Sequence, residues 1–377
     1  MKTISRLRYF LYLSILIVGC TTGKNALQKG NYDQSVFKSV DRLKSSPKNA
    51  EAMYVLPIAY DLALKEHLRK IDEAKVSSDV LRWETILAHY QKINQLSDEV
   101  NGSPVALGLI PNPQKYINEV EDSKYKAAEV RYTLGVNQMN ENNRVSAKNA
   151  YFNFEKAQYF YPSYRDVKNK MDDAYWAAVV KVVVQPVKVN SGYYQLSNQY
   201  FQQQVSDFIS SYQQNRFVIF YSEQQANSQK ITPDQVLRLS FDDFIVGQTY
   251  VKERVEKLKK DSVLISDSRA NGKVYGTVKA TLSIFNKQVS SSGLLAMTII
   301  DYPSNKIIRQ QRLPGTYVWQ DNWATYKGDE RALTSQQLQM TKRRELLPPA
   351  PASLFVEFTK PIYAQLVDEI SYFYNKY

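Results

Sequence analysis

The chain has 377 residues, enough for two or three domains. Its hydrophobic share of 44% and charged share of 23% belong to a protein that buries a core, which excludes a disordered chain. The net charge of +12 is scattered along the sequence, without the dense basic stripe of a nucleic-acid-binding surface.

The N-terminus opens with the short basic segment MKTISRLR, followed by the apolar run YFLYLSILIV. That run is too short for a hydrocarbon core about 30 Å thick, so residues 1–19 read as a signal peptide. It ends in Ile17-Val18-Gly19-Cys20, which resembles the bacterial lipobox. The resemblance implies diacylglyceryl transfer to the Cys20 thiol, cleavage before Cys20, and an acylated tether over residues 20–24. Acyl chains contribute about 0.8 kcal/mol per buried methylene, so several of them anchor a protein without a spanning helix. Cys20 is the single cysteine, which leaves no disulfide. By resemblance to envelope lipoproteins, Thr21 in place of Asp favours the outer membrane. Surface-exported lipoproteins of Bacteroidota-type bacteria often carry acidic residues just after the cysteine, and this chain has none before Asp33, so the same resemblance implies the periplasmic face over the cell surface.

Residues 25–176 carry helical periodicity with little strand signal. Gly30, Tyr32, Ser35 and Pro47 have the spacing of the second half of a tetratricopeptide repeat, which the segment resembles. A second match has Leu134-Gly135 opening a helix, then Ala150, Phe154, Ala157 and Pro162, with the insertion NENNR lengthening the intervening turn. Met53–Ile71 and Leu81–Leu96 read as further amphipathic helices, and NGSPVALGLIPNP as a break in the array. Ordinary helical hairpins are the alternative. In both readings each helix pair buries its apolar face only against its neighbours, and the concave surface suits protein partners.

From Ala177 the pattern becomes β. AAVVKVVVQPVKV reads as a buried strand, residues 191–214 as a helix, and RFVIFYS as a second strand, which together make a strand–helix–strand crossover. VLRLSFDDFIV is another strand. TYVKERVEKLKKDSVL fits helix and strand, and a tight turn at Asn271-Gly272 favours the strand. VYGTVKATLSIF alternates apolar and polar over its whole length, so its sheet buries one face. SSSG at 290–293 and PSNK at 303–306 are expected to turn the chain into GLLAMTIIDY and IIRQQRL, giving an antiparallel meander. A helix-prone segment at 335–345 and the Pro-rich hinge LLPPAPAS follow. Last comes an apolar helix that Pro361 is expected to kink or split.

The expected architecture is α+β and multidomain. It comprises a helical tetratricopeptide-like array over 25–176, a mostly antiparallel α/β sandwich over 177–334, and C-terminal helices over 335–377. Over roughly 178–318 the order of elements resembles the periplasmic domain of curli-secretion-channel lipoproteins. It is similar, too, to the amino-terminal domain of the Tol-system propeller protein. The whole layout looks like Bacteroidota outer-membrane lipoproteins of unassigned function. This implies a periplasm-facing scaffold or accessory subunit of a secretion or outer-membrane assembly complex, with envelope proteins as partners and oligomerisation possible. A surface-exposed glycan- or ligand-binding lipoprotein is the alternative.

Catalytic patterns are missing. His67 and His89 lack the i, i+4 spacing of a helical zinc pair and read as structural or surface residues. Asp242-Asp243 lies on a strand, where neighbouring side chains point to opposite faces. No nucleotide-binding or nucleophile-elbow pattern occurs. The expectation is a protein that is not an enzyme and has no cofactor and no metal. The densest mixture of aromatics and charges is VWQDNWATYKGDERAL, which contributes Trp319, Trp323, Tyr326, Lys327, Asp329, Glu330 and Arg331 as a candidate interface. The tryptophans suit a core edge, a protein interface or a ligand platform. They are expected to close the sheet edge after its last strand, with TYKGDER as an exposed turn. The basic clusters Lys252, Arg254, Lys257, Lys259, Lys260 and Lys342, Arg343, Arg344 read mainly as solvated surface.

Overall fold

The computed structural model describes residues 23–189, 195–268 and 272–377. The expected leader over 1–19, Cys20 with Thr21, and the turn residue Asn271 lie outside them. The chain is α+β and divides between Ala178 and Val179 into two compact units.

The first unit is built from helices α1 (Gly23–Gln28), α2 (Tyr32–Ser45), α3 (Ala50–Val76), α4 (Arg82–Asn101), α5 (Pro104–Leu109), α6 (Ile117–Met139), α7 (Arg144–Phe160) and α8 (Val167–Ala178). Sequential helices pack on one another and share small buried clusters in place of one central core. Alanines at the contacts, among them Ala59, Ala128, Ala150 and Ala157, let the helix axes approach. Asn49 and Asn143 cap α3 and α7, each side chain accepting from the backbone N–H three residues on at 2.9 Å. No helix among the described residues is long and apolar enough to cross a membrane.

The second unit holds β1 (Val180–Val184), β2 (Lys188–Val189), α9 (Gln195–Ser210), β3 (Val218–Ser222), α10 (Glu223–Ser228), β4 (Gln235–Ser268), β5 (Gly272–Asp301) and β6 (Lys306–Gly328). A 3-10 turn (Glu330–Ala332), α11 (Ser335–Thr341) and α12 (Pro351–Tyr374) complete it. The sheet order is β3-β1-β4-β5-β6, with β2 also paired to β4. β1 runs parallel to β3 and β4, so the strand–helix–strand crossover forms as the sequence implies. The β4–β5 and β5–β6 pairs are antiparallel. Leu237, Leu239, Leu295, Met297 and Ile299 from the sheet meet Phe201 and Val205 of α9 and Phe355, Phe358, Ile362 and Leu366 of α12 in the main core.

β4 and β5 do not stop at the core. Past the β2 pairing, which ends at Phe241, they continue as a ribbon to Ser268 and Gly272, joined by β6 as far as Gly328 opposite Ala280. At about 3.3 Å per residue the stretch from Gln248 to Ser268 runs roughly 65–70 Å.

Four expectations are corrected. SSSG at 290–293 is uninterrupted strand, paired to 315–318 of β6. Its small residues serve packing: Gly293 stands opposite Gly315, and a Cβ on Gly293 would fall inside the Phe358 ring of α12. A Cβ on Gly315 would collide with the Phe358 carbonyl oxygen and Ile362. Ser291 accepts from the Gly247 N–H at 3.0 Å, satisfying a donor displaced by the β4 bulge between Ile245 and Gln248. Second, the tryptophan segment through Lys327 is not a loop after the last strand but the outer half of β6 itself. Third, Leu134-Gly135 does not open a helix and lies late in α6, where Gly135 makes room for Phe154: an added Cβ would lie 2.6 Å from that ring. Fourth, α12 is one helix through Pro361. Gln365 of the same helix donates to the Pro361 carbonyl at 2.9 Å and to the Pro314 carbonyl of β6 at 2.8 Å.

The obstacle at Gly315 is backbone, which cannot rotate away. Gly315→Ala is therefore expected to destabilise the second unit by about 1–3 kcal/mol. Gly108→Ala, on a helix with open space around the added carbon, should be neutral or slightly stabilising. Thermal unfolding followed by circular dichroism checks the contrast, and equal midpoints for the two variants would contradict it.

Candidate functional site

Strand alternation sorts VWQDNWATYK onto two faces. Trp319, Asp321 and Trp323 share one face of β6 with Val289, Lys287 and Phe285 directly opposite them on β5. Phe285 stacks on Trp323, ring centroids 5.2 Å apart and planes 13° from parallel. Trp319 and Trp323 are both half-buried. On β4 the same rows continue through Val251 beside Lys287 and Glu253 beside Phe285, with Val255 in the next row.

A strap formed by residues 342–350 crosses this face between α11 and α12. Its anchor is Asp321, whose carboxylate is only 3% exposed and accepts the Leu346 backbone N–H at 2.8 Å. Arg343 approaches the same carboxylate at 3.8 Å, and the buried Lys287 ammonium donates to Glu345 at 2.6 Å. Buried charges need partners of this kind, because an ionised group left alone in the interior is costly. Leu346 and Leu347 gain no such cover, and Leu347 is 88% exposed. With Val251 and Val255, the latter 56% exposed, they give the tryptophan face an apolar, solvent-facing rim.

The opposite face carries Tyr326 and Ala324 of β6, Ala280 and Leu282 of β5, and Leu333 and Met340 from the chain beyond, packed as a small separate core. Lys327 is exposed. Gly328 ends β6 at φ +117, where a Cβ would meet the Lys279 carbonyl, and the Asp329 N–H then donates to that carbonyl at 3.0 Å. Asp329 accepts from the Arg331 backbone N–H at 2.9 Å and from the Arg331 guanidinium. Those bonds bring its carboxyl down to about 2, which commits it as an anion rather than a proton donor. The pairing is complete above the ordinary carboxylate value of 3.8 and lost only as pH falls toward 2. Glu330 stands 3.5 Å from the Tyr326 hydroxyl. The guanidinium of Arg331 also donates to the Leu264 carbonyl at 2.6 Å, at the point where the β4–β5 register slips between Leu264 and Ser266. TYKGDER is thus less a free turn than a clasp across the ribbon.

The remaining candidates divide cleanly. Cys20 lies outside the described residues. Gly30 turns the chain at φ +75, Tyr32 packs at the start of α2, and the buried Ser35 hydroxyl donates to the Gly23 carbonyl at 2.7 Å. Pro47 is exposed between α2 and α3. Ala150, Phe154 and Ala157 are fully buried, Leu134 is half-buried, and Pro162 follows the end of α7. The bulge at Asp242 breaks the alternation assumed for Asp242-Asp243, and Asp242 lies 4.0 Å from Arg312. In the basic run of β4, Arg254 pairs with Glu256 and Lys259 with Asp261. Among the described residues no group of three or more His, Cys, Asp or Glu side chains is placed to hold a metal ion.

Phe285, Lys287, Glu345, Leu346 and Leu347 were not singled out by sequence. The signal for the first two was the i, i+2, i+4 spacing of Trp319, Asp321 and Trp323, which is strand spacing and required a partner strand. His67 and His89, read as structural or surface residues, are in direct contact across helices, their Nδ1 atoms 2.8 Å apart.

No protein-family model matches the chain, and no curated protein matches it in sequence. Among solved structures it is similar to a putative neuraminyllactose-binding hemagglutinin homolog from Helicobacter pylori. That match has 12% identity and a TM-score of 0.24, and covers 51% of this chain and 84% of the other. It is similar as well to the hypothetical protein CT253 from Chlamydia trachomatis, at 10% identity, a TM-score of 0.24, and coverage of 52% and 96%. Likenesses at this level decide neither fold nor function.

Two outcomes follow from the geometry. Asp321→Ala leaves the Leu346 N–H without its acceptor and removes the carboxylate facing Arg343, a loss of about 1–3 kcal/mol. Limited trypsinolysis should then cut after Arg343 or Arg344 faster than in the wild type, and an unchanged cleavage rate would refute the anchoring role. Arg331→Ala should raise amide exchange around Leu264 while leaving the core strands protected.

Proposed function

We propose that the chain is a lipid-anchored envelope protein that docks a protein partner on the tryptophan face of its β4–β5–β6 ribbon. It acts there as a scaffold or accessory subunit and not as an enzyme. The observation that carries the docking surface is the exposed apolar rim of Val251, Val255, Leu346 and Leu347 around the half-buried, stacked Trp323 and Phe285. Interfaces of moderate size are organised in this way, with aromatic anchors at the centre and a polar surround, here Glu253, Lys257 and Lys327. The stacking of Trp323 on Phe285 and the strap across the face leave less open aromatic surface than a sugar platform uses. This favours a protein over a glycan.

The anchor rests on Ile17-Val18-Gly19-Cys20 behind a short apolar run, and the outer-membrane, periplasm-facing placement rests on Thr21 and the residues after it. The helical unit, with its tetratricopeptide-like spacing, offers a second contact surface.

Photo-crosslinking residues placed at Val255 and Leu347 in cells test the docking face, with Tyr302 at the β5–β6 turn as the control position. A discrete partner adduct from the first two sites and none from Tyr302 is expected. Adducts that fail to form, or that form equally at all three, would defeat the proposal. Labelling with a fatty-acid alkyne tests the anchor separately: the wild type should incorporate it and Cys20→Ala should not.

A further inference from the structure

The two histidines of this chain, distant in sequence, meet between three helices of the first unit. His67 on α3 and His89 on α4 place their Nδ1 atoms 2.8 Å apart, their rings tilted by 49°. The other nitrogen of His67, Nε2, lies 2.9 Å from the Asp33 carboxylate on α2. The His67 side chain is 12% exposed and His89 is half-buried.

The proton inventory of this chain of groups is restricted. An ionised carboxylate only accepts, so His67 Nε2 carries a proton and donates to Asp33. Two Nδ1 atoms at hydrogen-bond distance hold one proton between them, since one must donate and the other accept. The pair is therefore compatible with neutral histidines, His89 donating, or with a single imidazolium on either ring. A second charge would set N–H against N–H and cation against cation at 2.8 Å. Asp33 from α2 and Glu66 from α3 face the pair with negative charge, Lys70 from α3 with positive charge, and α4 contributes His89 itself. The negative groups suit the first imidazolium; for His89 they are outweighed by burial and by the charges of His67 and Lys70.

We propose that Asp33, His67 and His89 form an acid-released fastening: Asp33 on α2 fixes the His67 tautomer, and the His67–His89 bond ties α3 to α4 at neutral pH and lets go when both imidazoles are protonated. A cleft of about 340 Å³ lined by Tyr32, Asp33, Glu66 and His67 gives solvent protons access to it. Burial first, then the charges of His67 and Lys70, holds the His89 ring below its ordinary value. The unfolded chain then binds the proton more readily than the folded one. The contribution of the contact is present above about 6.5 and declines as pH falls toward the folded-state value. Few other side chains titrate between about pH 5 and 8, so the two histidines dominate that window.

The test uses the purified full chain labelled with ¹⁵N at histidine alone. Ring-nitrogen shifts followed through acidification should show two separated steps, and two coincident titrations near 6.5 would overturn the fastening. Amide exchange around His89 in α4, corrected for chemical exchange rates, is then compared at about pH 7.5 and about pH 5.0. Acidification should accelerate it about tenfold per unit of pKa separation in the wild type. His89→Phe, which keeps a ring without a titrating nitrogen, should show no such acceleration, and His67→Gln serves the same purpose should the first variant fail to fold. Equal acceleration in wild type and variants would overturn the proposal.

Discussion

The second unit depends on how closely α12 can approach the sheet. Gly293 and Gly315 stand opposite each other on β5 and β6 and leave a depression that Phe358 fills with both its ring and its backbone. That seat fixes the register of a helix whose Phe355, Phe358, Ile362 and Leu366 supply much of the core. Because α12 is fixed, the strap before it must cross the tryptophan face. Asp321 and Lys287 accordingly hold buried charge to satisfy the strap's Leu346 N–H and Glu345. The exposed rim of Leu346 and Leu347 is thus a downstream result of two absent side chains.

Polar anchors in the two units follow different rules. Asp321 is a permanent fastening, since its acceptor role toward a backbone N–H needs no proton to be shared. The His67–His89 contact exists only for a restricted set of protonation states. One holds a surface in place, and the other makes the packing of α3 against α4 conditional on pH in the proposal above.

Much of this was legible in residue order. The valine-rich β1 and the parallel crossover appear in the fold, and VYGTVKATLSIF alternates in burial from Val278 to Leu282, though Val274 lies out on the exposed ribbon. Gly30 and Pro47 do stand at helix boundaries. SSSG was misread because small residues signal a turn locally, whereas here they answer to Phe358, 65 positions after Gly293, a distance no local pattern reports. The tryptophan segment was misread for a related reason: it was placed beyond the last strand, ending in an exposed turn, yet Asp321 faces inward from β6 to grip a strap. The histidine contact had no sequence signal at all, since it joins α3 to α4 across 22 positions with no repeat spacing.

The position of α12 also constrains the order of assembly. β4, β5 and β6 are consecutive and can pair as hairpins soon after they are made, since local closure is entropically cheap. Their apolar face then waits uncovered for a helix that is synthesised after all three strands. The Tyr363 hydroxyl of α12 donates to the Gln204 carbonyl of α9 across 159 positions, so these two helices come together over nearly the whole length of the unit. A nascent chain halted before α12 would present a long, sticky hairpin without its cover. The protein is therefore one for which a holding chaperone matters most between the completion of β6 and that of α12.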